Sequence, residues 1–404
     1  MIKHINNTIK TLFTPEKVIF LAIFFCNSFL GWLFCTIQLF FQQKKRKENL
    51  TFWSILSIAF ISLYNATKIP ENDLAWYVEF YLMADNYNLI NYLGQLTDGK
   101  EPLYQMLVYT LHLIGGNNTH FFVFSISLIS YTFLLKALLI WKKDLDISET
   151  NFMLAVSTLC FFPWTFALSV HIIRQFLALS IMLWAFFSYF SKHKKIYWLF
   201  AFCTIYIHSS VIILFPLLFI KKIAQPIKIK YLYVLIGIFV LFSSINQLGT
   251  IALSYVRNSA TLVHIAQKAA DGTHFETTLP LSQLLFSIAL VILGFVAVYI
   301  KNKKLKEQNI IPLFLNTSLI ILCFILVSSN YSEIQLRYNF YFWSFFPFFI
   351  LVYTLSTKIN KLFIFSGIIL LFFAWNIYNI YLSQWEYTCS YDYFFYPFLG
   401  YFMD

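Results

Sequence analysis

The chain has 404 residues, of which 59% are hydrophobic, 21% aromatic and only 12% charged. A soluble chain would have about a quarter of its residues charged, so this composition excludes a soluble globular protein. The net charge of +11 does not indicate nucleic-acid binding, because most Lys and Arg residues lie in six short runs between apolar segments. Such loops are the orientation signal of an inner-membrane protein. The runs are 44–47, 142–143, 192–195, 221–230, 301–306 and 358–361.

Ten apolar segments are candidate spanning helices, for which about 20 residues are needed. In chain order they are 18–41, which we predict to be one continuous helix, 51–66, 119–141, 151–170, 174–190, 231–246, 281–300, 310–329, 338–356 and 362–382. If all basic runs are cytoplasmic, the apolar segment 103–114 does not cross the membrane. The segment 196–220 then enters and leaves the membrane on the same side, as two short helices separated by a break at His208–Ser210. We predict an all-α polytopic membrane protein, a single membrane domain over 1–404. It would have about 10–12 transmembrane helices plus one or two re-entrant or peripheral helices, an arrangement compatible with a GT-C-like bundle.

The same threading places two loops, 67–102 and 247–280, on the outer side, where both would contribute to a site. The first loop mixes acids with aromatic residues around Asp73 and Tyr77, a combination that stacks on sugar faces and accepts hydrogen bonds from hydroxyls. Glu101 precedes Pro102, which suits the first position of a helix. Its carboxylate either takes part in catalysis or only complements the positive end of the helix dipole.

Arginine is rare in this chain, and three of the four arginines, Arg174, Arg257 and Arg337, fall on the predicted outer side. The planar guanidinium grips phosphate oxygens in bidentate fashion. An ionised residue near a helix end within the membrane boundary is by default a functional candidate. Interfacial snorkelling or a structural ion pair is the alternative explanation. His171 lies three residues before Arg174, and His208 lies at the predicted break, where it is either a catalyst or a structural hydrogen-bonding group.

Several nucleotide and metal signatures do not occur in the sequence. It contains no Gly-x-x-x-x-Gly-Lys-Ser/Thr loop, no dinucleotide glycine fingerprint and no His-Glu-x-x-His motif. We therefore expect no cofactor and no metal.

Taken together, these motifs resemble the EpsG family, the Wzy-like polymerases of bacterial polysaccharide. The resemblance rests on Ile173-Arg174-Gln175 opening a helix, on Lys194-Lys195, and on Ile207-His208-Ser209-Ser210. Further matches, over residues 60–340, are Asp73 with Tyr77, Glu101-Pro102 and Leu336-Arg337-Tyr338. One departure is Asn72, which stands where a Gly is expected before Asp73.

The resemblance implies glycosyl transfer at the outer face of the bacterial inner membrane, producing exopolysaccharide, capsule or O-antigen. The substrates would be an undecaprenyl-pyrophosphate-linked glycan and a lipid-linked repeat unit. Membrane lipid and a chain-length regulator are the other expected partners, and nucleic acid is not one. The expected catalytic residues are His208, Asp73 and Glu101. The expected substrate-binding residues are Arg174, Gln175, Arg337, Tyr338, Tyr77, His171 and Arg257.

Two other classes of membrane protein share some of these features. A flippase of lipid-linked sugars would also have many helices, but it would place charges near the midplane of several of them. A membrane O-acyltransferase of polysaccharide would also use a His with a carboxylate. Helix interiors nearly free of charge favour a site at one membrane face, and hence the polymerase.

Overall fold

The computed structural model describes residues 14–41, 46–96, 101–227, 279–328, 332–357, 361–379 and 397–402. Over these ranges the chain forms helices and turns without a strand, which confirms the all-α prediction. Six of the described helices are long and apolar enough to cross a membrane, or seven if one bent pair counts as a span. The chain is thus a multi-pass membrane protein. The predicted span 231–246 lies outside the described residues, so the total of 10–12 spans stays a prediction.

The main helices are numbered here in chain order. They are α1 Pro15–Cys26, α2 Ser28–Phe41, α3 Arg46–Ala66, α4 Asn72–Met83, α5 Pro102–Gly115, α6 Thr119–Asp144, α7 Glu149–Phe161, α8 Pro163–His171, α9 Ile173–Lys192, α10 Ile196–Ile205, α11 Leu281–Val296, α12 Ile310–Val327, α13 Ser332–Ser356 and α14 Lys361–Tyr378. The chain divides into two compact units, residues 1–215 with 358–404, and residues 216–357. The prediction of a single membrane domain is not tested by this division.

The first apolar run is not the continuous helix that we predicted, because it breaks at Asn27. The backbone of Asn27 is extended (φ −156°, ψ 108°) and ends α1. Its side-chain oxygen accepts a hydrogen bond from the Leu30 amide at 2.8 Å, so it also caps α2. Gly31 permits the close approach of the two helices, since a Cβ there would lie 2.4 Å from the Phe24 Cα. Asparagine is a strong N-cap, and this local capping competes with helix continuation.

The predicted span 151–170 is also interrupted, and α7 and α8 meet at an angle of 44°. Phe162 between them has an extended backbone, and Pro163 opens α8. Proline has no N–H to continue the hydrogen-bond ladder, and it disfavours the helical conformation of the residue before it. The interruption therefore follows from the local sequence at Phe162 and Pro163.

The break predicted within 196–220 is confirmed. Helix α10 ends at Ile205, and His208 adopts an extended conformation (φ −160°, ψ 128°) before short 3₁₀ turns at Ser209–Ile213 and Pro216–Phe219. The described helix 102–115 has 14 residues, fewer than a membrane crossing needs.

We predicted that the segment 67–102 is a loop. This prediction is wrong in part, because α4 forms within it. Its buried side chains are Leu74, Tyr77, Val78 and Tyr81, spaced three and four residues apart. This spacing is that of an amphipathic helix with one face against the protein. We had assigned the acidic residues at 73 and 79 to a loop. They lie instead on the exposed part of the same helix.

Polar contacts join three helices in the first unit, α3, α6 and α8. The Asn65 side-chain amide, near the end of α3, donates to the hydroxyls of Ser127 in α6 at 2.9 Å and Ser169 in α8 at 3.0 Å. The ring of Tyr64 stacks on Phe166 at 5.3 Å. Interhelical hydrogen bonds in membranes average only about 0.6 kcal/mol each, so their main effect is positional. They place the α8–α9 junction next to the connection between α3 and α4.

The second unit is built on α11, α12 and α13. Gly294 allows α11 to approach its neighbours, since a Cβ there would lie 2.9 Å from Leu315 and 3.1 Å from Phe349. The Asn316 amide of α12 donates to the carbonyl oxygens of Ile223 at 2.7 Å and Gln225 at 2.9 Å. Close packing at small residues and satisfied polar groups are what hold helices together in a bilayer.

Candidate functional site

Arg174 is the second residue of α9, and its guanidinium is the centre of a polar cluster in the first unit. Its Nη1 donates to Glu101 Oε2 at 2.5 Å, and its Nε donates to the Tyr77 hydroxyl at 3.4 Å. The guanidinium carbon also lies 5.1 Å from the centre of the Tyr77 ring, in cation–π range. Three elements distant in sequence, α4, α5 and α9, therefore meet at one arginine.

Glu101 reaches this arginine from the residue before α5. Its backbone is left-handed (φ 51°, ψ 53°), and its side chain does not cap its own helix. This conformation is uncommon for a glutamate and is further disfavoured before a proline, at a cost of about 1–3 kcal/mol. The alternative that Glu101 only complements the dipole of α5 is therefore too simple, because its carboxylate forms an ion pair with Arg174.

His208 contributes the third charged or titratable group. Its Nδ1 accepts a hydrogen bond from the Ser210 amide at 3.1 Å, and its Nε2 lies 3.8 Å from Glu101 Oε1. Because Nδ1 acts as an acceptor, the neutral imidazole carries its proton on Nε2, the atom that faces the carboxylate. A backbone hydrogen bond from Leu103 to the Tyr206 carbonyl, at 3.2 Å, ties the start of α5 to this turn.

The cluster is largely shielded from solvent but not closed. The side chains of Glu101 and His208 are 16% and 8% exposed, whereas that of Arg174 is 32% exposed, so about a third of the arginine side chain is open to a ligand. Burial raises the pKa of the Tyr77 phenol, and the nearby Asp73 carboxylate raises it further against the opposing effect of Arg174. Tyr77 therefore stays a neutral hydroxyl, able to accept from Arg174.

The other predicted site residues have different positions. Asp73 is exposed in the first turn of α4, while His171 at the end of α8 and Gln175 in the first turn of α9 are buried. Arg337 and Tyr338 belong to α13 in the second unit, where Tyr338 packs on Phe324 with ring centres 4.7 Å apart. Arg257 lies outside the described residues. From the sequence we also expect Arg337 and Arg174 to bind the same substrate, and this expectation stays a prediction.

Lys68 is a buried cation that we did not select from the sequence. Its Nζ donates to the carbonyl oxygens of Phe166 and Ala167 in α8, and it lies 4.0 Å from the centre of the Phe166 ring. It also interacts electrostatically with His171. Its position directly after the apolar segment 51–66 was the available signal. This lysine holds α8 just before the turn that presents Arg174.

A second His–carboxylate pair lies at the other end of α5. His112 Nε2 and Asp85 Oδ1 are 2.7 Å apart, and the Tyr81 ring packs against the imidazole with centres 5.1 Å apart. Hydrogen bonds from His112 and Asn117 lower the pKa of the exposed Asp85 carboxyl.

A groove of about 400 Å³ follows the α4 face that carries Val78. The groove does not include the Arg174 cluster.

Comparison with known proteins gives one result. A family model described as the EpsG family matches residues 51–395, which is most of the chain. This match confirms the resemblance inferred from the Arg174 and His208 motifs. Neither the curated proteins nor the solved structures contain a significant match.

Proposed function

Because the chain belongs to the EpsG family, we propose that it polymerises lipid-linked oligosaccharide repeat units at the outer face of the bacterial inner membrane. The donor is the growing glycan on undecaprenyl pyrophosphate, and the acceptor is a lipid-linked repeat unit. The product is exopolysaccharide, capsule or O-antigen. The observation that carries this proposal is the partly exposed side chain of Arg174, whose guanidinium is held at the start of α9 by Tyr77 and Glu101.

The position of Arg174 supports an anionic substrate. Helix N-termini carry a partial positive charge and unpaired amides, so acidic residues usually stabilise them and an arginine there is unfavourable by itself. Residue 172, which precedes α9, makes no side-chain cap. A cation added to an uncapped N-terminus forms an anion-binding site, and a diphosphate is an anion of suitable charge and geometry.

In this proposal Arg174 holds the diphosphate and neutralises it as it departs. The bond between the anomeric carbon and the diphosphate oxygen breaks, and its electron pair leaves with the lipid diphosphate. The acceptor hydroxyl oxygen forms the new bond to the anomeric carbon and loses its proton to a general base. Glu101 suits this role better than His208, since the Nδ1 of His208 already accepts a hydrogen bond and its Nε2 is a donor.

The surface of α4 supports a glycan beside this site. Trp76 is 61% exposed and packs on Phe80 with ring centres 6.3 Å apart. Asp73, one turn away, is exposed as well. An aromatic face next to a carboxylate provides stacking and hydroxyl recognition for sugar rings. This surface supports the lipid-linked glycan as a partner, and our proposal adds the surrounding lipid and a chain-length regulator.

The test is the length distribution of glycan at the surface of cells that carry Arg174→Ala. We expect lipid-linked single repeat units to reach the outer face while longer chains disappear, at an unchanged level of the protein. Glu307→Gln, an exposed change next to the basic run 301–306 and outside α4, is the control and should leave chain length unchanged. A flippase with the same lesion would instead retain its lipid-linked units on the cytoplasmic leaflet. Normal long chains in Arg174→Ala cells would refute the polymerase.

A further inference from the structure

The ion pair between Arg174 and Glu101 poses a problem for the proposed chemistry, and this inference rests on that proposed function. Arg174 Nη1 donates to Glu101 Oε2 at 2.5 Å. A carboxylate held this closely by a guanidinium is a weak base, because the arginine favours its ionised form. A guanidinium that already holds a carboxylate is in turn a weaker ligand for a diphosphate.

We propose that Glu101 is an internal substitute for the substrate's diphosphate, occupying Arg174 until the diphosphate displaces it. Two anions on one guanidinium would repel each other, so binding of the diphosphate favours departure of the carboxylate. A diphosphate carries more negative charge than a carboxylate and offers several oxygens to the planar fork. The exposed third of the Arg174 side chain is the route by which it enters, since Glu101 itself is more buried.

The geometry also provides a place for the displaced carboxylate. Glu101 Oε1 lies 3.8 Å from His208 Nε2, just beyond hydrogen-bond range. A movement of about 1 Å away from Arg174 would close this gap, and the Nε2 proton faces the carboxylate. The left-handed backbone of Glu101 is strained, so the resting position is not its own conformational preference.

The exchange couples substrate binding to base strength. With the diphosphate on Arg174, Glu101 loses its cation and becomes basic enough to take the proton of the acceptor hydroxyl. The anomeric carbon exchanges its bond to the diphosphate for a bond to the acceptor oxygen, and the proton remains on Glu101. When the lipid diphosphate leaves, Glu101 releases the proton and returns to Arg174. An empty site therefore has no active base.

The test is binding of farnesyl diphosphate, a short prenyl diphosphate, to the purified full-length chain in detergent. If Glu101 competes for Arg174, Glu101→Gln should bind this probe about tenfold more tightly than wild type, which corresponds to about 1.4 kcal/mol. Polymerisation by the same variant should fall, because the amide cannot accept the proton. The combination of tighter binding and slower turnover is not expected from a purely structural role.

Three variants complete the experiment. Glu79→Gln makes the same change of charge on the exposed surface of α4 and should bind as wild type does. Arg174→Ala with Glu101→Gln should bind no more tightly than Arg174→Ala alone. Glu101→Asn, which enters the left-handed region readily, should behave as Glu101→Gln does even if the glutamine variant folds poorly. A thermal unfolding midpoint for each variant shows which of them are folded.

Equal or weaker binding by both folded Glu101 variants would overturn the exchange. That result would leave the polymerase standing if Arg174→Ala cells still lack long chains. Tighter probe binding together with normal chain lengths in Arg174→Ala cells would support the exchange of anions and refute the polymerase. The two proposals therefore fail separately.

Discussion

A histidine faces a carboxylate at each end of α5, but the two pairs differ in the distance between the partners and in the exposure of the carboxylate. At the C-terminal end, His112 and Asp85 are 2.7 Å apart, and Asp85 is 55% exposed. At the N-terminal end, His208 and Glu101 are 3.8 Å apart, both are largely buried, and Arg174 takes the carboxylate instead. The first pair is a completed hydrogen bond that ties α4 to α5. In the second pair, the histidine and the carboxylate are too far apart for a hydrogen bond.

In our proposal, this difference separates a structural pair from a reactive one. A pair with an exposed carboxylate contributes little to stability, because water competes for that carboxylate even though the His112 imidazole is buried. A buried carboxylate shared between a cation and a histidine is costly to hold in place and has two alternative partners. A functional assignment from residue type alone would treat the pairs equally, whereas burial and the third partner separate them.

The largest effect should come from Arg174→Lys, which tests whether the buried cluster needs the arginine fork or only a charge. We expect it to fail nearly as badly as Arg174→Ala, since an ammonium cannot reproduce the bidentate grip. Loss of such a contact costs roughly 100- to 1000-fold in rate. The measurement is the polymerisation rate with purified protein and lipid-linked repeat units. Near-normal turnover in Arg174→Lys would mean that charge alone suffices.

A smaller effect should come from Tyr77, which positions Arg174. Tyr77→Leu removes the ring under the guanidinium and should slow polymerisation about tenfold, since a cation–π contact contributes about 0.5–2 kcal/mol. Tyr77→Phe keeps the ring and loses only the 3.4 Å hydrogen bond, so its loss should be a few-fold at most, a weak neutral hydrogen bond contributing about 0.5–1.5 kcal/mol. Equal losses in both variants would contradict the role of the ring.

The smallest effect should come from Asp85→Asn, which changes the exposed carboxylate of the His112–Asp85 pair. We expect an unchanged polymerisation rate and a slightly lower thermal unfolding midpoint. The pKa of Asp85 lies below its ordinary value of 3.8 in the folded protein, so its ionised form stabilises the fold at neutral pH. This contribution is present above pH 3.8 and disappears as the pH falls through the lowered folded pKa.

Midpoints measured from pH 7 downward for wild type and variant provide the check. The difference between the two proteins should shrink in acid. A difference that stays constant or grows in acid, or a clear loss of polymerisation in Asp85→Asn, would show that this end of α5 is more than a structural tie.

Much of the site was predictable, residue by residue. Arg174 was indicated by the rarity of arginine, His208 by the break that interrupts its apolar run, and Tyr77 and Glu101 by the mixture of acids and aromatic residues. The pairing was not predictable, because these residues lie on α4, α5, α9 and the turn after α10. Lys68 was missed for the same reason, since only the fold shows that it is buried against α8.

The sequence by itself determined the class, an all-α membrane protein of the EpsG family, because a bilayer permits few spanning structures and the apolar segments follow from composition. It also determined two local breaks, one at the polar triplet 208–210, which we predicted, and one at Pro163, which we did not predict because we took 151–170 as a single span. The separation of α1 and α2 at Asn27 and the helix α4 also have local causes, a capping asparagine and amphipathic spacing, but only the structure revealed them. The tertiary structure alone decided that Glu101 faces Arg174, since such contacts depend on how helices far apart in the chain pack together.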